Sequence, residues 1–459
     1  MEKKQNKLGQ EPVGKLLFHF ALPSIVAMIV SALYNIVDQF FIGNSVGMLG
    51  NAATNVSFPL TTVCIALALT SGIGGAANFN ISMGRGEEEE AKKYIGNTLL
   101  LIGVMGVTLI IITNLFLDSF LYFFGATEDI LPYAREYVTI TSRGFLFLIF
   151  VNAGSNLIRA DGSPLYSMIC IVTGAVINAI LDPIFIFIFH MGMRGAAWAT
   201  VTGQGISALM VLFYLKDFKT IPFKFKDIRW KFSYIGDIIK LGAGAGFNQI
   251  SLLVVQIVVN NLFRKYGALS IYGPNIPLAA IGIVMKVNMI FFSMNIGMSQ
   301  GLQPISSYNY GAGNYERVRQ AYFLAAKISL LISLVTFLIF QLFPNEIMIL
   351  FGRGSKEYYE FGVRLFRVFM FFTFINGLLP VNMGFFSSIG MAIKGVFIAL
   401  SRQIIFLIPL VLILSRIFGI DGILYAGPIA DFLAAIVSIF LVSNQLKKLK
   451  NLSKRKSFH

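Results

Sequence analysis

Two aspartates, Asp38 and Asp182, lie inside long apolar stretches of this chain. Asp38 belongs to residues 30–43 and Asp182 to residues 169–189, and both stretches fit the composition of a membrane-spanning helix. A carboxylate at the bilayer centre costs about 2.5–3.5 kcal/mol on insertion scales, so it ordinarily has an internal partner or a function. A buried acid that only hydrogen-bonds a neighbouring helix is the plain alternative. Because both acids have polar neighbours at helical spacing, we expect them to bind an ion.

Oxygen-bearing side chains recur near the two acids at spacings of three or four residues, which place them on common helix faces. These residues are Ser31, Asn35, Asn152, Ser155, Asn156, Asn178, Thr200 and Gln204. Carboxylate, amide and hydroxyl oxygens are the ligands of small hard cations, so Asp38 and Asp182 are candidate Na⁺ ligands. The same pocket can hold a proton, because two acids close together in a low dielectric do not both ionise readily. The alternative is a set of interhelical hydrogen bonds worth about 0.6 kcal/mol each.

The composition predicts an all-α polytopic membrane protein. The chain has 459 residues, of which 56% are hydrophobic and 13% charged, against about 25% charged in soluble domains. The apolar stretches divide into twelve spans of about 20 residues or more. They cover residues 14–42, 52–80, 94–117, 132–158, 163–189, 195–215, 234–263, 272–300, 317–342, 358–386, 395–415 and 421–445. The chain has neither a phosphate-binding P-loop nor a His-Glu-x-x-His motif, and we expect no enzyme.

Most lysines and arginines fall in the loops on the side of the amino terminus, in the linker at residues 216–233 and in the tail at residues 446–459. The positive-inside rule therefore predicts that both termini are cytoplasmic in a plasma membrane. The net charge of +15 reflects this topology, so we expect no nucleic-acid partner.

The chain repeats itself at a spacing of about 227 residues. The segment starting at Gly84 matches the one starting at Gly311, Phe124-Gly125 matches Phe351-Gly352, and the segment starting at Met191 matches the one starting at Phe418. Since six spans is an even number, the two halves are parallel repeats around a central cleft. We expect an amino-terminal bundle over residues 1–215 and a carboxy-terminal bundle over residues 234–445.

The repeat isolates the acids in the first half. Val259 stands opposite Asp38, and the position opposite Asp182 falls near Leu410. Gln256 stands opposite Asn35 and is a further candidate for the cavity. Ion coupling is therefore predicted for the amino-terminal half alone.

Four other residues are weaker candidates for a substrate cavity. Lys286 lies near the middle of its span, where it either lines a cavity or extends to the interface. Met289 belongs to a methionine cluster, and flexible thioethers suit promiscuous apolar sites. Asp431 is the repeat counterpart of Gln204, and we interpret it as a candidate for the second cavity. Arg402, closer to the end of its span, is interpreted as structural.

Three stretches resemble the multidrug and toxic compound extrusion (MATE) family. They are residues 33–43 (LYNIVDQFFIG), residues 159–164 (RADGSP), and residues 178–187 (NAILDPIFIF) followed by GAAWAT from Gly195. Residues 299–304 (SQGLQP) and 308–314 (YNYGAGN) resemble its MepA-like bacterial branch. The resemblance implies two six-helix bundles around a V-shaped cleft and secondary antiport of drugs against Na⁺ or H⁺. It assigns the cation site to Asp38, Asn178, Asp182, the Ala196 carbonyl and Thr200.

The resemblance also implies the protein's binding partners, and two alternative functions are considered beside transport. The expected partners are small-molecule drugs and dyes, in particular amphipathic aromatic cations, and the lipid bilayer; we expect a monomer with no cofactor beyond the coupling ion. The first alternative is a lipid-linked precursor flippase of the same superfamily, which would favour an arginine-rich cavity and extra helices. The second is a non-transporting membrane receptor or scaffold, which would leave the acids of one half unexplained.

Overall fold

The computed structural model describes residues 7–216, 218–224, 228, 230–350 and 354–456. Within them, eleven helices are long and apolar enough to cross a membrane, and a bent pair makes a twelfth span. The predicted all-α polytopic architecture is confirmed. Several sequence-assigned features lie outside the described residues: the amino-terminal lysines at 3 and 4, the middle of the linker, the last three tail residues, and the pair Phe351-Gly352 of the repeat.

The first six spans form the amino-terminal lobe. They are α1 (Val13–Ser45), α2 (Met48–Arg85), α3 (Glu88–Leu115), α4 (Leu131–Ala160), α5 (Pro164–Ile188) and α6 (Gly192–Lys216). A 3₁₀ turn (Lys7–Gly9) precedes α1, and a short helix (Leu117–Phe123) follows α3. The chain reverses direction at each connection, so α1 and α6 both have an end on the side of the chain termini.

The next six spans form the carboxy-terminal lobe in the same order. They are α7 (Phe232–Ala268), α8 (Asn275–Gly311), α9 (Tyr315–Leu342), α10 (Lys356–Phe369 with Thr373–Ser388), α11 (Ala392–Phe418) and α12 (Ile420–Arg455). The short helix Pro344–Leu350 occupies the place of Leu117–Phe123. The predicted parallel repeats are thereby confirmed.

Several helices run beyond the predicted apolar spans. The α2 helix continues to Arg85 and the α8 helix to Gly311, while α12 extends through most of the stretch that the sequence assigns to the tail. Each predicted span ends where charged residues or glycines begin. The backbone hydrogen bonds of a helix do not depend on side-chain polarity, so the helices continue past the apolar stretch.

Four spans are irregular, and one of them is α4, which contains a 3₁₀ turn at Ser142–Gly144. The α10 span bends by 49° between its two segments. The last turn of α5, Ile184–Ile188, is π-helical and follows Pro183, and Ser401–Leu407 within α11 is also π-helical. Proline removes a backbone donor and π-turns widen the helix, so both place local irregularities inside the membrane, often at functional sites.

The linker is partly packed on the amino-terminal lobe. The Asp161 carboxylate, between α4 and α5, accepts hydrogen bonds from the Tyr214 hydroxyl and from the backbone N–H groups of Lys219 and Thr220. Phe218 is buried in the same lobe. These contacts fix the first part of the linker against the bundle that precedes it.

The lobes are joined on the side of the termini. The first turns of α1, with Leu17 and Phe20, pack into the core of the carboxy-terminal lobe against Leu302 and Ile305 of α8. In the mirrored arrangement, Ile238 of α7 packs against Leu101 of α3 in the amino-terminal lobe. Each lobe therefore receives the terminal-side half of one helix from the other.

Glycines allow the helix backbones to touch at this junction, which we call the seam. A Cβ at Gly74 of α2 would lie 1.9 Å from the Ile238 carbonyl oxygen of α7, and one at Gly242 would lie 1.8 Å from the Thr70 carbonyl oxygen. On the other side of the seam, a Cβ at Gly301 of α8 would lie 2.5 Å from the Ala21 Cα of α1. All these contacts fall in the terminal-side halves of their helices, so the lobes are sealed on that side.

Candidate functional site

The carboxyl groups of Asp38 on α1 and Asp182 on α5 lie together inside the amino-terminal lobe. Their side chains lie close enough to interact electrostatically. Asp38 is 9% exposed and Asp182 is fully buried. Among the described residues, Asp38 Oδ1 and both Asp182 oxygens have no hydrogen-bond partner. The predicted juxtaposition of the two acids is what the structure shows.

Asn178 and Thr200 lie in the same interior. The Asn178 Nδ2 group donates a hydrogen bond to Thr200 Oγ1 at 3.2 Å, which links α5 to α6. The Asn178 Oδ1 atom is buried and has no partner in the described structure. Ala196, one turn before Thr200, is fully buried in the same lobe. The geometry therefore brings the side chains of the sequence-predicted set to one region of the lobe.

Small residues allow α5 and α6 to approach closely enough for this. A Cβ at Gly203 would lie 2.6 Å from the Gly174 carbonyl oxygen, and each glycine is about one turn from a site residue. The Ser207 hydroxyl donates to the Cys170 carbonyl oxygen at 2.7 Å and fixes the register between the helices. Close backbone packing of small residues is a usual means of helix association in membranes.

Two tyrosines that the sequence analysis did not select also belong to this region. Tyr34 of α1 and Tyr137 of α4 both interact electrostatically with Asp38 and Asp182. Tyr34 lies one turn before Asp38, so helical spacing could have indicated it. Tyr137 lies in a different span and has no sequence signal connecting it to either acid.

The arrangement concentrates oxygen atoms that lack protein donors. Four such atoms are buried here: Asp38 Oδ1, the two carboxyl oxygens of Asp182, and Asn178 Oδ1. A buried acceptor without a donor is costly unless a proton, a cation or water satisfies it. Among the described residues, no three or more His, Cys, Asp or Glu side chains lie together in an arrangement that could hold a metal ion. The chemistry of these oxygens fits a proton or a weakly held hard cation.

Several predicted neighbours lie elsewhere. Asn35 is exposed, and its Nδ2 group donates to the Ser31 carbonyl oxygen at 2.6 Å instead of facing the acids. Asn156 is buried beside Arg159 at the seam, whereas Asn152 is half-buried and donates to the Leu148 carbonyl oxygen. The burial boundary on α1 thus passes between Asn35 and Asp38. Helical spacing alone does not distinguish these neighbouring orientations.

The remaining cavity candidates differ in accessibility. Gln256, the repeat counterpart of Asn35, is exposed, as are Lys286 and Met289 of α8, while Gln204 of α6 is half-buried. An exposed amide within a span faces water more readily than lipid.

Asp431 of α12 is buried and paired. Its Oδ1 atom accepts from Arg402 Nε at 2.5 Å and its Oδ2 atom from Asn376 Nδ2 at 2.6 Å, and the side chain is nearly inaccessible. Arg402 lies in the π-helical part of α11, and Asn376 lies at the bend of α10. In this conformation Asp431 connects three helices and presents no open surface to a cavity.

Two helical lobes around a cleft, with a buried acid pair in one lobe, define a membrane transporter. The chain belongs to the MatE family, whose sequence profile matches residues 23–184 and 246–413. It is 24% identical over 441 residues to the multidrug export protein MepA of Staphylococcus haemolyticus (strain JCSC1435), covering 96% of this chain and 95% of that protein.

Other known proteins give the same picture. The chain is 23% identical over 437 residues to the multidrug export protein MepA of Staphylococcus aureus (strain MSSA476), with 94% of both chains covered. Its fold matches an outward-facing structure of a multidrug resistance MATE family transporter with a TM-score of 0.90 at 24% identity, covering 98% of this chain and 99% of that one. The family and the fold expected from the sequence are thereby confirmed.

Proposed function

We propose that this protein exports amphipathic aromatic cations in exchange for Na⁺ or H⁺ bound at Asp38 and Asp182. The observation that carries the proposal is the buried pair of carboxyl groups, of which three oxygens have no hydrogen-bond partner among the described residues. Relatives of the chain are named multidrug export proteins, which supports a drug as the second substrate. The positive-inside rule supports cytoplasmic termini, so the seam would close the cytoplasmic side.

Charge repulsion supplies the coupling. Without a bound ion, ionised Asp38 and Asp182 repel each other and favour separation of α1 from α5. A proton or Na⁺ cancels that repulsion, while the π-turn after Pro183 lets α5 adjust its end. Coupling of about 1.4 kcal/mol is enough to change drug affinity tenfold. Asn178 and Thr200 would hold the cation's remaining oxygen contacts or the hydrogen bonds of the protonated pair.

The cleft composition supports cationic aromatic substrates. Exposed apolar side chains of α8 such as Met289 offer adaptable contacts, and carboxyl groups within the lobe favour positive charge. Lys286, exposed on the same helix, works against this preference wherever it reaches the cleft. Comparing the export of matched cationic and anionic dyes measures the net charge preference of the substrate site. Equal export of both dyes would contradict the proposed selectivity for cations.

Dye uptake into inside-out vesicles tests the function directly, because export from a cell corresponds to uptake into such vesicles. A proton gradient and a sodium gradient are imposed separately, and export of a fluorescent cation is followed in each case. Export driven by either gradient supports antiport and identifies the ion. A rate that neither gradient changes, equal to that of vesicles lacking the protein, would exclude it.

A further inference from the structure

A second charged group is buried where the two lobes meet. Arg159, at the terminal-side end of α4, is only 3% exposed. Its Nη2 group donates to Asn156 Oδ1 at 2.8 Å, and it forms no ion pair with any residue that the structure describes. A guanidinium carries five N–H donors, so most of its hydrogen-bonding capacity is unused.

Arg159 lines a small cavity that belongs to both lobes. Asn80 of α2 lines it from the amino-terminal lobe, and Gln300, Gln303 and Ser307 of α8 line it from the carboxy-terminal lobe. Its volume is about 10 Å³, which is room for one water molecule. Asn80 Oδ1 and Gln300 Oε1 are buried without partners in the described structure. One water would accept from Arg159 and donate to both oxygens, so the cavity is polar and incompletely satisfied in the sealed conformation.

Among the residues that the structure describes, no acid of the cavity's own helices is available to neutralise this cation. The three lining helices α2, α4 and α8 contain Asp or Glu only at the outer part of α4, in Glu136, which pairs with Arg194. Asp161, two residues after Arg159, is engaged by Tyr214 and the linker backbone. An unpaired buried charge is destabilising by several kcal/mol unless a counter-charge or water compensates it.

We propose that Arg159 is a recognition subsite for one carboxylate group of a substrate, exposed when the seam opens. The inference rests on the proposed export function and adds to it a specificity-determining residue, which would recognise the acid of a substrate that carries a carboxylate beside its cationic aromatic system. A guanidinium binds a carboxylate with two parallel hydrogen bonds, which a cation lacking the acid does not engage. The amides of Asn80, Gln300 and Gln303 can rotate to donate to the same group. Since the sealed cavity has room for only one water molecule, binding of a carboxylate requires separation of the lobes.

A pair of dyes that differ only in the acid tests the subsite. A rhodamine with a free carboxylate and its methyl ester are compared in gradient-driven vesicle uptake, and the acid-to-ester ratio is recorded. A charge-assisted hydrogen bond contributes enough to change affinity about tenfold, so Arg159→Gln is expected to lower the ratio by about that factor. Arg159→Lys keeps the buried cation but loses the two parallel N–H donors of the guanidinium, and it is expected to give an intermediate ratio. Arg85→Gln is the control, because Arg85 is an exposed arginine on the same side of the membrane.

The outcomes are distinguishable from those of the proposed function. If the unmodified protein transports neither dye, export itself is wrong, and fluorescence polarisation of both dyes with purified protein still measures the ratio. An unchanged ratio in Arg159→Gln, with the protein folded by size-exclusion chromatography, would overturn the subsite and leave a water-bridged structural arginine. A third outcome is that the acid-to-ester ratio changes when gluconate replaces chloride and that Arg159→Gln abolishes this change. It would show that the guanidinium binds chloride instead, and it would also overturn the proposal.

Discussion

Gly84 of α2 and Gly311 of α8 pack against each other's helices across the seam, and each is the repeat counterpart of the other. A Cβ at Gly84 would lie 2.1 Å from the Tyr308 carbonyl oxygen, and one at Gly311 would lie 2.1 Å from the Ile81 carbonyl oxygen. Ile81 and Tyr308 are also counterparts in the repeat. The approximate two-fold axis of the molecule therefore passes between these two helices, and the sealed conformation depends on the absence of side chains there.

Adding a methyl group at the seam should open it. We expect Gly242→Ala to shift the lobes apart on the terminal side, because its Cβ would lie 1.8 Å from the Thr70 carbonyl oxygen. Pulsed electron paramagnetic resonance between spin labels at Glu89 of α3 and Glu316 of α9 measures the separation. The control is Gly282→Ala on α8, where a Cβ meets nothing within 4 Å. The same distance distribution in Gly242→Ala and the unmodified protein would show that helix shifts absorb the methyl group.

Removing either carboxylate of the acid pair should uncouple export. We expect Asp38→Asn and Asp182→Asn each to abolish gradient-driven dye efflux while the protein remains folded, because the amide neither binds a proton nor neutralises Na⁺. Vesicle uptake and size-exclusion chromatography measure the two properties. Asp118→Asn, which removes an exposed acid paired with Arg135, is the matched control. Near-normal driven export by either acid-pair variant would remove that acid from the coupling mechanism.

Drug and ion should compete. Because antiport requires the two loaded states to differ, drug affinity of the purified protein is expected to fall as Na⁺ rises or as pH drops, by about tenfold for 1.4 kcal/mol of coupling. Fluorescence polarisation of a bound dye across both titrations measures this. Asp182→Asn should flatten the dependence. If the unmodified protein binds drug equally throughout, the buried acids are structural and the driving ion binds elsewhere.

The ion pair of Asp431 with Arg402 should stabilise the carboxy-terminal lobe only as a pair. We expect Asp431→Asn to reduce the free energy of unfolding by about 1–3 kcal/mol, since it weakens hydrogen bonds to Arg402 and Asn376 and leaves a cation without its counter-charge. Thermal unfolding in detergent measures the change. The double variant Arg402→Gln with Asp431→Asn should recover part of the loss. Strict additivity of the two single changes would indicate that the pair has no coupling energy.

Membership in a class of twelve-helix transporters follows from the sequence to a large extent. Long apolar spans have no stable alternative to helices in lipid, because every backbone group must be satisfied within the span. The spacing between Gly84 and Gly311 reveals the repeat, and Asp38 and Asp182 stand out because acids are unfavourable in lipid. Both signals are local or periodic along the chain, so they can be recognised in a single sequence.

Contacts between distant spans were decided by the tertiary structure alone. Helical spacing grouped Asn156 with the acids, whereas in the folded chain Asn156 lies beside Arg159 at the seam. The repeat indicated a cavity position for Asp431, whereas in the folded chain Asp431 pairs with Arg402. Tyr137 joins the acid pair with no signal in its own span. Helical periodicity defines which residues share a face but not which helix that face meets. That choice depends on close backbone approaches, such as Gly203 against Gly174, between residues far apart in the chain.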